Sequence, residues 1–169
     1  MNRVLAEWNR AVVEDALDAM TACCGAKRWA AAMVEQRPFA SIVELSEAAD
    51  RAWGEMQEAD WLEAFACHPR IGERKVVHAS AQSVAWSRQE QASATSAPEQ
   101  ILSELAEGNA LYEERFGFTY IVCATGKGGE EMLAILQRRL SNDRDAELRE
   151  AAEQQRQILQ IRLGKWLMQ

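Results

Sequence analysis

A chain of 169 residues is long enough for one domain with a real core and short for two. Its 19 Lys and Arg stand against 26 Asp and Glu, a net charge of −7 with no dense basic block, which argues against a nucleic-acid binder. An apolar content of 48% with six Trp excludes a disordered chain, and the acidic balance leaves a small anionic substrate open, since a few placed arginines suffice to hold one.

Residues 5–24 carry Leu5, Trp8, Val12, Ala16, Met20 and Cys23 at helical spacing, with Gly25 to end the helix. A short helix over 27–36 stops before Pro38. Ser41 and Glu44 form a capping box that opens a helix with Ile42, Leu45, Ala49, Trp53 and Met56 on one face. The stretch from Trp61 to Glu73 follows, with Asp60 as its N-cap, Glu63 as the capping partner, and Leu62, Phe65 and Ala66 as the apolar side. Pro69 stops that helix at His68 and leaves an imidazole among unpaired carbonyls, which suits a general acid, although a lone His before a Pro is more often a plain helix end.

Periodicity is lost over 74–83, a polar loop in which His78 reads as a surface residue. A helix over 84–94 comes next, and Ser96, Pro98 and Glu99 start a long one with Ile101, Leu105, Tyr112 and Phe116 as core positions and Gly117 as its end. Helices over 129–140 and 143–167 complete the chain. The expectation is an all-α single compact domain of about seven to nine helices, with one exception. Phe118–Thr125 is β-branched and aromatic, a short extended segment with no partner strand. Its backbone groups need partners, from neighbouring side chains or from a ligand. The following Gly126-Lys127-Gly128-Gly129 is not a phosphate loop, because position 121 is Ile and Gly follows the lysine.

No stretch has the length of a membrane span, and the N-terminus lacks a signal-peptide core. Cys23, Cys24, Cys67 and Cys123 include no CxxC pair and read as reduced thiols. A soluble, cytoplasmic protein that binds neither nucleic acid nor membrane is the expectation. Cys67 beside His68 is no catalytic pair, since adjacent helical residues point about 100° apart.

Polar residues in apolar positions carry the functional signal. On the last helix Leu148, Ala152, Leu159 and Trp166 define one stripe, and Gln155 and Arg162 fall inside it. A guanidinium there needs a protein carboxylate or a bound anion. Ser87-x-x-Glu90-Gln91 matches a capping box with Ser87 as N-cap; alternatively Ser87 and Gln91, four apart, share a face and line a pocket.

Taken together, His68-Pro69-Arg70-Ile71-Gly72, Ser87-x-x-Glu90-Gln91, Asn109-x-x-Tyr112, Phe116-Gly117 and a terminal helix carrying Arg162 resemble the 2-oxo-4-hydroxy-4-carboxy-5-ureidoimidazoline (OHCU) decarboxylase family. The resemblance runs nearly the whole chain, and the His-Pro-x-Ile-Gly element is its most specific part. It implies an all-helical, commonly dimeric enzyme without cofactor that converts a ureidoimidazoline to (S)-allantoin and CO2. It implies His68 as catalytic acid, Glu90 as second catalytic group and Arg162 as the substrate-holding arginine. Pro69, Ser87, Arg88, Gln89, Glu90 and Gln91, with Ile121, Val122, Cys123, Ala124 and Thr125, are the substrate-lining positions it implies. Two other readings stay open: a helical interaction module without activity, and a lyase or hydrolase acting on another ureide.

Overall fold

A computed structural model describes residues 2–72 and 79–169. The helices in chain order are α1 (Arg3–Trp8), α2 (Val13–Cys23), α3 (Lys27–Glu35), α4 (Ile42–Gly54), α5 (Glu58–Ala66), α6 (Ala81–Glu90), α7 (Ala92–Thr95), α8 (Glu99–Phe116), α9 (Gly129–Arg139) and α10 (Arg144–Trp166). The fold is all-α, with no strand among the described residues. Helices α1 and α7 are short, and the eight longer ones fall within the expected number. The described chain divides into two compact units, Met1–Ala64 with Arg156–Gln169, and Phe65–Gln155.

The first unit is organised by tryptophan. Trp8 stacks on Phe39 with ring centroids 6.0 Å apart and meets Trp166 edge-on at 5.6 Å. Trp29 is fully buried, and its indole N–H donates to the Ala49 carbonyl at 3.1 Å, so its one polar atom is satisfied. Helices α4 and α10 are tied within this unit by Arg156 on Asp50 at 3.0 Å and by the Gln160 amide on the Ser46 carbonyl at 3.0 Å.

The helix expected over 5–24 is two helices here. Arg37 Nη1 donates to the carbonyls of Trp8 at 2.7 Å and Ala11 at 3.0 Å, and the Asn9 amide pairs with both backbone groups of Phe39. These partners from distant sequence occupy the groups a continuous helix would use, so the chain breaks between Trp8 and Val13. At Ser41 the expected cap is present: its hydroxyl accepts the Glu44 N–H at 3.1 Å, while Glu44 reaches back to the Ala40 N–H at 2.7 Å.

Helix α5 starts earlier than expected. Asp60 is not its N-cap but lies in the first turn, where its carboxylate accepts the Gln57 N–H at 2.9 Å and pairs with Arg28 at 3.1 Å. Glu63 turns to the Lys27 backbone N–H instead of closing a box. Ala64 and Phe65 form the buried side, whereas Ala66 is exposed.

In the second unit α6 starts at Ala81 rather than Val84, because Ser80 caps it by accepting the Ser83 N–H at 3.1 Å. The expected span 84–94 covers most of α6 and most of α7. Ser96 does not cap α8; its hydroxyl donates to the Ser93 carbonyl, and Pro98 holds the cap position. Gly117 ends α8 in the left-handed region at φ 81°, with its N–H on the Glu113 carbonyl at 2.8 Å. Beyond it Phe118 enters a cluster of Phe65, Tyr112 and Phe116 with centroids 4.7 to 6.2 Å apart. Residues 119–124 are neither helix nor strand, and Phe118 and Tyr120–Ala124 are buried. The turn after them needs Gly126 at φ 80°, and Gly129 lets α9 begin against Ala97, whose Cβ would lie 2.5 Å from any added Cβ.

Candidate active site

His68 stands just past the end of α5, where its N–H closes the last turn on the Phe65 carbonyl at 3.1 Å. Pro69 follows and disfavours any further helical turn. The next residues are clamped to two helices of the same unit. Arg70 forks onto Glu113 of α8 through Nε–Oε1 at 2.7 Å and Nη2–Oε2 at 2.6 Å. Asn109, buried on α8, donates its amide to the Ile71 carbonyl at 3.1 Å. The Gly72 N–H donates to Gln91 Oε1 at 3.2 Å, at the end of α6. Bidentate and buried contacts of this kind hold a backbone with little freedom, so the half-buried imidazole starts from a fixed Cα.

A cavity of about 380 Å³ opens beside this turn, lined by Pro69, Val84, Ser87, Arg88, Gln91 and Thr95. Ser87 is a mid-helix residue of α6, 2% exposed, so the capping-box reading fails and the shared-face reading holds. Gln91, also buried, lies one turn on from Ser87 and brings its amide to the same cavity. Glu90 is the half-buried last residue of α6, and Gln89 is exposed on its outer side. Ile121, Val122, Cys123 and Ala124 are buried in this unit, and Thr125 is exposed. His78 lies outside the described residues.

Arg162 belongs to the other unit. It is 2% exposed on α10, with Gln155, Leu159 and Trp166 buried along the same stripe as the sequence spacing predicts. Its guanidinium acts on the Cys23 thiol, which burial pushes far above the ordinary range and the arginine only partly draws back. Cys23 is therefore an inert apolar neighbour rather than a nucleophile. The Gln155 amide, fully buried, finds no hydrogen-bond partner on either atom among the described residues.

The segment between α8 and α9 takes its partners from side chains and a turn. Arg139 Nη1 donates to the Ile121 carbonyl at 2.6 Å, Gln154 Oε1 accepts the Cys123 N–H at 2.9 Å, and Lys127 serves the carbonyls of Cys123 and Ala124. Arg139 itself was not singled out from sequence, although Met132, Leu136 and Arg139 share one helical face and all three are buried. It pairs with Glu147 inside the second unit, where Tyr112 donates its hydroxyl to the same carboxylate and Asn142 donates to the other oxygen at 3.0 Å. Burial alone would lower the Arg139 pKa, but the Glu147 hydrogen bond and the adjacent phenols outweigh it, so the guanidinium stays charged.

Burial also pushes the phenols of Tyr112 and Tyr120 well above their ordinary range, against the pull of Arg139. These are the only tyrosines of the chain. Their raised folded-state pKa adds stability that is complete below the unfolded phenol value of about 10 and is lost as pH climbs towards the folded one. Alkaline titration should therefore give no tyrosinate absorbance from folded protein just above about pH 10. The band should appear together with loss of helical dichroism, and a tyrosinate signal from still-helical protein would contradict the packing described.

The model of the OHCU decarboxylase family matches residues 9–164. The chain belongs to the OHCU decarboxylase family. The matched span holds every candidate position from His68 to Arg162. Among relatives, the uric acid degradation bifunctional protein TTL of Arabidopsis thaliana is 37% identical over 151 residues, 88% of this chain and 46% of that protein. The chain thus spans under half of that bifunctional relative. The 2-oxo-4-hydroxy-4-carboxy-5-ureidoimidazoline decarboxylase of Amia calva is 31% identical over 134 residues, 79% of this chain and 77% of that one. A crystal structure of an OHCU decarboxylase in the presence of (S)-allantoin matches with a TM-score of 0.78 at 34% identity, covering 90% of this chain and 99% of that one.

Proposed function

We infer that this chain decarboxylates 2-oxo-4-hydroxy-4-carboxy-5-ureidoimidazoline to (S)-allantoin and CO2 in urate breakdown, without a cofactor. The observation that carries the reading is the cavity in which Pro69, beside His68, meets Ser87, Arg88 and Gln91, in a chain matched over 156 residues by the family. The reaction breaks one C–C bond. CO2 leaves, its electron pair passes into the substrate's own ring, and one carbon is then protonated from a single face. The ring is the electron sink, so the protein's tasks are orientation, charge placement and proton delivery.

In this reading His68 is the acid and Glu90 acts with it on the substrate's hydroxyl or ring nitrogen. Ser87, Arg88 and Gln91 line the pocket, and the Ile121–Thr125 backbone reads the ureido and ring amides. Arg162 orients the substrate rather than gripping the leaving carboxylate, because a tight grip on that group would stabilise the ground state and slow its loss. The enzyme works as a cytoplasmic homodimer, a reading supported by the family resemblance and by four free cysteines, which suit a reducing compartment. No helix among the described residues is long and apolar enough to cross a membrane.

The test generates the unstable substrate in place from urate with uricase and hydroxyisourate hydrolase, then follows circular dichroism. The protein should raise a single-handed (S)-allantoin signal faster than spontaneous decay. Racemic allantoin at the spontaneous rate would reject the activity.

A further inference from the structure

The buried charges of the second unit do more than pack. Arg139 and Glu147 are each 0% exposed. A buried ion pair is a poor source of stability, since well-packed apolar residues of similar volume often serve as well or better. The geometry of this one is divided in purpose. Nε and Nη2 of Arg139 go to Glu147, with Nε–Oε1 at 2.7 Å, while Nη1 goes to the Ile121 carbonyl. The fork is held from behind by Tyr112 and Asn142 through Glu147, and its face rests on the Tyr120 ring at 4.9 Å. Tyr120 is anchored in turn by its hydroxyl on the Met132 carbonyl at 3.2 Å.

The segment is thus pinned at Ile121 on one side and at Cys123 and Ala124 on the other. Between the pins sits Val122, 4% exposed, and among the described residues no hydrogen bond reaches its N–H or its C=O. Buried backbone groups are nearly always paired, and a donor and acceptor on one residue complement a cyclic amide or a ureido group. We propose that Arg139, held by Glu147 and Tyr112, is a positioning residue that fixes Ile121–Ala124 so that the Val122 peptide groups meet the amide edge of the substrate. This rests on the substrate-lining role given above to that segment.

The test compares Arg139→Lys with the double variant Arg139→Met/Glu147→Leu, which removes both charges and keeps the volume apolar. The double variant should keep its helical dichroism and melt near the parent. Its kcat/KM should nevertheless fall by about 100-fold, mostly through KM, as expected for a misplaced binding group. Binding of (S)-allantoin should weaken in step. A folded double variant with parental KM and kcat overturns the proposal. If the double variant does not fold, Arg139→Lys decides by backbone NMR. Shifted or broadened resonances confined to residues 121–124 support the positioning role, and an unchanged segment overturns it. Failure of the parent to form allantoin would reject the activity alone, because the NMR comparison needs no substrate.

Discussion

Replacing His68 by alanine should lower kcat for allantoin formation by about 10²- to 10⁴-fold, the usual contribution of a positioned acid. The change should leave the fold intact. What holds the turn is not the imidazole but the Arg70–Glu113 fork, the Asn109 amide on the Ile71 carbonyl and the Gln91 amide on the Gly72 N–H. Helical dichroism and melting temperature should therefore match the parent while the product becomes racemic. Glu90→Gln should cost a comparable factor, since it keeps the shape at the end of α6 and removes only the charge. Both variants are read in the coupled uricase assay by rate and handedness together. Parental enantiomeric excess from His68→Ala would sink the assignment of His68 as the acid.

The second large effect is on stability. Arg139→Met alone should cost about 3–5 kcal/mol, because Glu147 would keep its burial and lose its counter-charge. Against a total of roughly 5–15 kcal/mol for a globular protein, that is a large share of the margin. Urea unfolding should show it as a lower midpoint. The control is Arg156→Met, which breaks an ion pair to Asp50 whose side chains are 35% and 43% exposed. Solvent screening and side-chain entropy leave such a pair worth about 0–1 kcal/mol. Equal losses from the two variants would show that burial does not govern the strength of these pairs.

The helical architecture was legible because most of the chain buries one stripe per helix, and spacing alone reports a stripe. Arg162 and Gln155 were found in that way, as polar residues at apolar positions. Arg139 would have yielded to the same comparison, since it continues the face of Met132 and Leu136. Glu147 would not, because it stands at the shoulder of the α10 stripe and its burial depends on Arg139 and Tyr112 arriving from other helices. Capping patterns were weaker guides. Ser41 caps as its pattern says, but Asp60, Ser87 and Ser96 fit the same rule and do not, since the rule ranks local partners only. The break after Trp8 depends on Arg37 and Phe39, which no local pattern contains. For the segment after Gly117, residue types marked the interruption of the helices, while the side chains that meet it come from Gln154, Lys127 and Arg139 and were invisible to a reading of neighbours.

The glycines at 126, 128 and 129 imitate a nucleotide-binding loop, yet each answers to a different demand. Gly126 carries the left-handed turn that returns the Lys127 N–H to the Ala124 carbonyl, Gly129 is hemmed by Ala97, and Gly128 meets nothing within 4 Å. In a saturation library the three positions should therefore part company. Position 128 should tolerate most side chains, position 126 chiefly asparagine besides glycine, and position 129 glycine alone. Glycine richness at this corner then records backbone curvature and the closeness of two helices, and its drift among variants would follow geometry rather than any ligand.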